Sequence, residues 1–247
     1  MKGDSFRFIP LACAAVFPWF FSALPGQVPD YDIGKWAGSK FSEKAGRFFQ
    51  ALTLQTSHHL FSRESSGDRL SLGGTVTMTS SFTHSDLRPI SGKTGLLPVF
   101  EGNLPVTTNL SLNGAYTAFS SSGDVVIVYR YGMDLFLGGP WLVELQRGHL
   151  EGTDDFFLKT VGVAIVRQIN YDKRNYWIGV GSGFYSAGVH IKNRLGDVTF
   201  PQRLEGDVTY LLAGLDRELG THYAVDVEVK IHPSFLSLMV GVSRILH

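Results

Sequence analysis

The chain has 247 residues, enough for one large domain or two small ones, although single β-barrels also reach this size. Its 22 basic residues balance 22 acidic ones, so no global field draws it to nucleic acid, and a nucleic-acid partner is not expected. Charged residues make up only 18% and aromatics 13%, with 28 glycines.

The N-terminus reads MKGDSFRF and then IPLACAAVFPWFFSALPGQ: a short basic start, an apolar run and a small-residue exit. This predicts a secretory signal peptide over residues 1–26, cleaved between Ala23 and Gln27. A membrane anchor is the alternative, but Pro10 and Pro18 interrupt the run and no charged stop follows it. Cys13, the single cysteine, sits in PLAC, yet Pro10 stands where a lipoprotein acceptor site carries Leu or Val. With the peptide removed, no disulfide or thiolate chemistry remains.

Residues 27–52 form an N-terminal segment. Ile33, Trp36, Phe41, Ala45, Phe48 and Leu52 recur at intervals of three to five, with Lys35, Lys40, Lys44 and Arg47 between them. The spacing predicts an amphipathic helix packed on the rest of the protein, the alternative being a helix at a membrane interface or plugging a pore.

From about residue 68 strict alternation takes over, and the barrel is expected over 53–247. In RLSLGGTVTMTS, Leu70, Leu72, Val76 and Met78 share one face. In DVVIVYRYGMDLFL the odd positions from Val125 to Leu137 form an unbroken apolar row, opposed by Arg130, Gly132 and Asp134. Val143 and Leu145 oppose Glu144 and Gln146; Tyr176, Ile178 and Val180 oppose Gly179, Gly181 and Gly183. Val225, Val227 and Val229 oppose Asp226, Glu228 and Lys230, and the chain ends in FLSLMVGVSRILH. Less regular candidates lie near 53–62, 105–118 and 205–217, for eight to ten strands in all. Turns are expected at SSSGD (120–124), GGP (138–140), NYDKRN (170–175) and LGTH (219–222).

Alternation alone fits a soluble barrel or a membrane one. Three features favour the membrane. The strands run longer than the about five or six residues usual in soluble sheets. The polar rows are rich in Gly, Ser, Thr and Ala, which suit a narrow lumen. Tyr129, Tyr131, Trp141, Tyr176, Trp177, Tyr210 and Tyr223 lie on strands, where an interfacial aromatic girdle belongs.

A signal peptide, successive amphipathic strands and a final FLSLMVGVSRIL together resemble the outer-membrane β-barrel proteins of Gram-negative bacteria, over roughly residues 53–247. The resemblance implies the cell outer membrane as location, and outer-membrane lipid and the barrel-insertion machinery as partners. In that family the last strand usually ends on an aromatic residue; here it ends Ile245, Leu246, His247. Both barrel termini would then be periplasmic, with SSSGD and NRLGDVTFPQRLE outside. The segment 83–104 would fall on the periplasmic side, hiding a short strand or folding into the lumen.

Chemical motifs are few. SGKT at 91–94 lacks the glycine a phosphate loop needs, with Leu87 in its place, and GVGSG at 179–183 continues the alternation on either side of it. His58 and His59 point to opposite faces of a strand, and His222 and His232 are about 33 Å apart along one, so no metal site or cofactor is expected. The reading is therefore all-β: an antiparallel up-and-down transmembrane β-barrel of 8–10 strands with a short N-terminal amphipathic helix. Its lumen-facing charges are Arg130, Asp134, Glu144, Asp226, Glu228 and Lys230. A porin-like, non-enzymatic role follows, structural or as a small passive pore for a solute the sequence does not name. A secreted soluble barrel for an apolar ligand and a membrane-embedded hydrolase are the alternatives.

Overall fold

The computed structural model describes residues 31, 33, 41–57, 70–82, 96–121, 124–153, 155–171, 174–190, 203–220 and 222–246. The expected signal peptide, Cys13, His58, His59 and SGKT lie outside these residues. Period-two alternation produces ten strands: β1 (Ser71–Ser81), β2 (Leu96–Thr107), β3 (Leu110–Ser121), β4 (Asp124–Gly138), β5 (Trp141–Glu151), β6 (Phe156–Tyr171), β7 (Arg174–Val189), β8 (Arg203–Leu219), β9 (Tyr223–His232) and β10 (Phe235–Ile245). Each pairs antiparallel with its sequence neighbours. The ring closes where β1 meets β10, from Ser71 opposite Ile245 to Ser81 opposite Phe235. FLSLMVGVSRIL is thus the closing strand, and closure leaves no edge of unpaired backbone groups.

Burial decides which face is the outside. Glu228 and Asp134 are 1% exposed, whereas Val125 and Leu211 are each 62% exposed and Ile178 58%. The apolar rows therefore point outward and the charged rows inward. A soluble monomer tolerates an apolar patch of about 300–600 Å²; here the outward rows of all ten strands are apolar in their middle reaches. The protein is an antiparallel up-and-down transmembrane β-barrel, and the arrangement a soluble barrel needs, with apolar rows inside, is the reverse of the one found.

The connections sort by length. Residues 108–109, 139–140, 172–173 and 220–222 join strands at the end where β1 starts and β10 finishes, here called the turn end. Gly138 and Gly139, with φ of 97° and 58°, make the tight β4–β5 reversal there, a backbone shape that a side chain would strain. The longer connections 82–95 and 190–202 lie at the opposite, loop end, together with 122–123, 152–155 and 233–234.

β2 corrects the topology read from the sequence. It occupies Leu96–Thr107 and follows β1 directly, so the segment between them joins strands at the loop end, the end opposite to the one expected from the sequence. Its alternation is masked because Leu97 and Val99 are apolar on the inner face as well. Pro98 is tolerated because β2 pairs with β3 only from Phe100 onward.

The helix, α1, is described over Phe41–Gln55, and it runs on through Thr53, Leu54 and Gln55, where a strand candidate was expected. It packs on the inner wall of the barrel. Phe41, Ala45, Phe48, Phe49 and Leu52 form one apolar cluster with Val126, Val128, Leu150, Phe156, Leu158, Tyr185, Ala187 and Val189, all near the loop end of their strands. Tyr31 and Ile33 join the same cluster, Tyr31 lying 5.8 Å from the Phe119 ring and 6.1 Å from Phe156. Burying each of the larger side chains contributes about 1.5–3 kcal/mol relative to exposure.

Candidate functional site: a plugged, charged lumen

α1 enters the lumen at the loop end and runs inward. Its last five residues, ALTLQ, and the following Thr56 and Ser57 are all buried. Polar residues can end a helix there because each hydroxyl finds a partner locally. Thr53 Oγ1 donates to Phe49 O at 2.7 Å, Thr56 Oγ1 to Leu52 O at 2.8 Å and Ser57 Oγ to Leu54 O at 2.7 Å. The helix's terminal carbonyls carry the negative end of its dipole, and cations wait for them on the wall. Arg130 Nη1 donates to Ser57 O at 2.9 Å and to Thr56 O at 3.3 Å, and Lys230 Nζ donates to Ser57 Oγ at 2.6 Å.

Those two cations are held in turn by carboxylates. Arg130 Nη2 donates to Glu101 Oε1, which also accepts from Thr75 Oγ1 at 2.7 Å. Lys230 Nζ lies 3.2 Å from Glu228 Oε1, and the Trp177 indole donates to Glu228 Oε2 at 3.0 Å. A buried charge is tolerated only when paired and hydrogen-bonded. These contacts tie β1, β2, β4, β7 and β9 to the end of α1.

Of the residues singled out in the sequence, Arg130, Asp134, Glu144, Asp226, Glu228 and Lys230 all sit on the inner wall, each at most 5% exposed. Arg130, Glu228 and Lys230 meet at the helix terminus. Asp134 and Glu144 face each other across β4 and β5, and Asp226 opposes Asp216 across β8 and β9, nearer the turn end. Glu101 and Asp216 escaped the sequence reading. Glu101 lies on the unrecognised β2. Asp216 follows the inward parity of Leu212 and Gly214, the signal that could have found it.

Two of the seven aromatic residues expected at an interface belong inside. Tyr129, Tyr131, Trp141, Tyr176 and Tyr223 are on the outer face, but Trp177 and Tyr210 are only 2% and 3% exposed. Parity explains the correction: Trp177 shares the face of Gly179 and Gly181, and Tyr210 that of Leu212. Each ring lies over a glycine directly across the β7–β8 ladder, Trp177 over Gly214 and Tyr210 over Gly181, where a Cβ would come within 2.4 and 2.6 Å of the ring. Tyr210 also places its ring 5.7 Å from Lys230 Nζ. Gly181 and Gly214 are thus the seats of lumen aromatics.

Among the described residues no three His, Cys, Asp or Glu side chains gather to hold a metal ion. A closed barrel with an apolar outer wall, a charged inner wall and a helix inside it defines a plugged transmembrane β-barrel. No family model and no curated protein matches the chain. Several solved structures are similar to it at low identity. Ail, the attachment invasion locus protein of Yersinia pestis, in complex with the heparin analogue sucrose octasulfate, shares 13% identity over 72% of this chain and 97% of that chain, with a TM-score of 0.35. The KdgM porin in complex with disordered oligogalacturonate shares 10% over 72% and 99%, with a TM-score of 0.39. The translocator domain of the autotransporter NalP from Neisseria meningitidis shares 12% over 82% and 95%, with a TM-score of 0.38.

Proposed function

We propose that this protein is an exported, non-enzymatic outer-membrane barrel whose lumen is kept closed by α1, with outer-membrane lipid as its solvent and the barrel-insertion machinery as its route there. In this reading the short turns face the periplasm and the long loops the exterior, the usual asymmetry of such barrels. The observation that carries the closed state is the grip of Arg130 and Lys230 on Thr56 and Ser57. A helix held only by apolar contacts could slide; one whose terminal carbonyls are bonded to wall cations has a fixed depth. The resting barrel is accordingly a structural membrane protein, and a passive pore exists only with α1 displaced.

Conductance in planar bilayers tests this. The wild-type chain should insert without steady current, and an Arg130→Met/Lys230→Met double variant should show intermittent openings. A steady wild-type current would replace the closed barrel with a constitutive small pore.

A further inference from the structure

Near its loop end the outer wall carries a cationic cluster that the plugged-barrel reading leaves without a role. Arg147 and His149 are successive outward positions on β5, and His149 stands directly opposite Lys159 on β6. Arg147 and Lys159 are therefore diagonal neighbours, with Cα atoms about 7–8 Å apart. On the other side, Arg147 opposes Tyr131 and His149 opposes Tyr129 across the β4–β5 ladder. The Tyr129 and His149 rings stack at 4.9 Å with an interplanar angle of 7°. Lys159 Nζ sits 5.4 Å from the Phe157 ring centroid. Glu151 is one outward position nearer the loop end.

Two cations held as diagonal neighbours on adjacent strands repel each other, and an anion between them relieves that repulsion. Among the described residues, neither Arg147 nor Lys159 makes an ion pair with any carboxylate. The loop-end rim of β8 differs, because there Arg203 is neutralised by Glu205 on its own strand. The height of the cluster narrows the choice of counter-ion. On β6 only Val161, Val163 and Ile165 separate Lys159 from the next outward cation, Arg167. At about 3.3 Å per residue and a tilt near 40°, that places the two roughly 20 Å apart along the membrane normal, close to the height of the apolar band. Lys159 thus stands at the loop-side headgroup level.

We propose that Arg147, His149 and Lys159, flanked by the Tyr129 and Tyr131 hydroxyls, bind the phosphate of a lipid headgroup in the loop-side leaflet. A phosphate monoester bridges two cations 7–8 Å apart at their Cα atoms, forms charge-assisted hydrogen bonds with both, and leaves its acyl chains along the apolar rows below. The inference rests on the membrane-barrel reading but not on the plug.

Native mass spectrometry of the detergent-solubilised full chain tests it, using phosphatidic acid, phosphatidylcholine and inorganic phosphate as separate probes. Phosphatidic acid should be retained in preference to phosphatidylcholine, and Arg147→Gln/Lys159→Gln should cut that retention about tenfold, while Arg203→Gln leaves it unchanged. Retention that ignores the double substitution, or that is equal for phosphatidylcholine, overturns the site. Inorganic phosphate bound as tightly as phosphatidic acid overturns the lipid as its ligand. Heat-modifiable gel migration verifies that each variant still forms a closed barrel. A chain that purifies as a soluble monomer without detergent would instead remove the membrane reading itself, an outcome distinct from loss of this site.

Discussion

Arg130 is the residue on which most of the interior converges, because its guanidinium joins a carboxylate on β2 to the end of α1. Removing one partner of a buried ion pair leaves the other charge uncompensated, at a cost of about 3–5 kcal/mol. Arg130→Met should therefore destabilise the folded barrel by that order in urea titrations in lipid vesicles followed by tryptophan fluorescence. Replacing Glu101 with Leu in the same chain should restore most of the loss. If the double variant is no more stable than the single one, the cost lies in the bonds to Thr56 and Ser57 rather than in the stranded carboxylate. The inner glycines make a second demand at this scale. Gly214→Val would drive its side chain into the Trp177 indole, and overpacking of this kind costs about 1–3 kcal/mol, read in the same titration.

At the scale of elements, the strands were legible and the plug was only half so. Period-two alternation over Val125–Leu137 or Tyr223–Ile231 is long, unbroken and specific to a wall with one apolar face, so those strands follow from the residues. β2 was hidden because its loop-end half is apolar on both faces, one toward lipid and one toward Ala115 and Phe119 of β3, and because Pro98 and Pro105 interrupt it. The helix itself was visible as a 3.6-residue period. Its seat was not, since an apolar stripe of Phe48, Phe49 and Leu52 says that something covers it and nothing about what. Trp177 and Tyr210 were misplaced for a related reason, an aromatic on a strand being read by residue type where parity already decided its face. The direction of α1 yields a prediction. Its exposed first-turn residues Ser42 and Glu43 lie at the loop end, the exterior side in the proposed orientation, although β1 starts and β10 finishes at the turn end. A Ser42→Cys variant should react with a membrane-impermeant maleimide on intact cells, and Gly139→Cys, at the turn end, should react only after permeabilisation. Labelling of Gly139→Cys on intact cells, with Ser42→Cys reacting only after permeabilisation, would place the loop end in the periplasm.

For the whole molecule the balance of interior charge matters more than any one contact. Among the described buried residues, Glu101, Asp134, Glu144, Asp216, Asp226 and Glu228 line the barrel against Arg130 and Lys230 as its cations. Asp134, Glu144, Asp216 and Asp226 all lie on the turn-end side of the helix terminus, so a solute that passes a displaced plug meets them in succession. Rings of acidic side chains select cations by replacing part of their hydration and repelling anions. The current carried by Arg130→Met/Lys230→Met should accordingly be cation-selective, seen as a reversal potential displaced toward the potassium equilibrium value in a potassium chloride gradient. Adding Asp134→Asn and Glu144→Gln should move that potential back toward zero without abolishing the current. An anion-selective current through the doubly substituted barrel would mean that ions bypass this lining, and with it that the lumen occupied by α1 is not the conduction path.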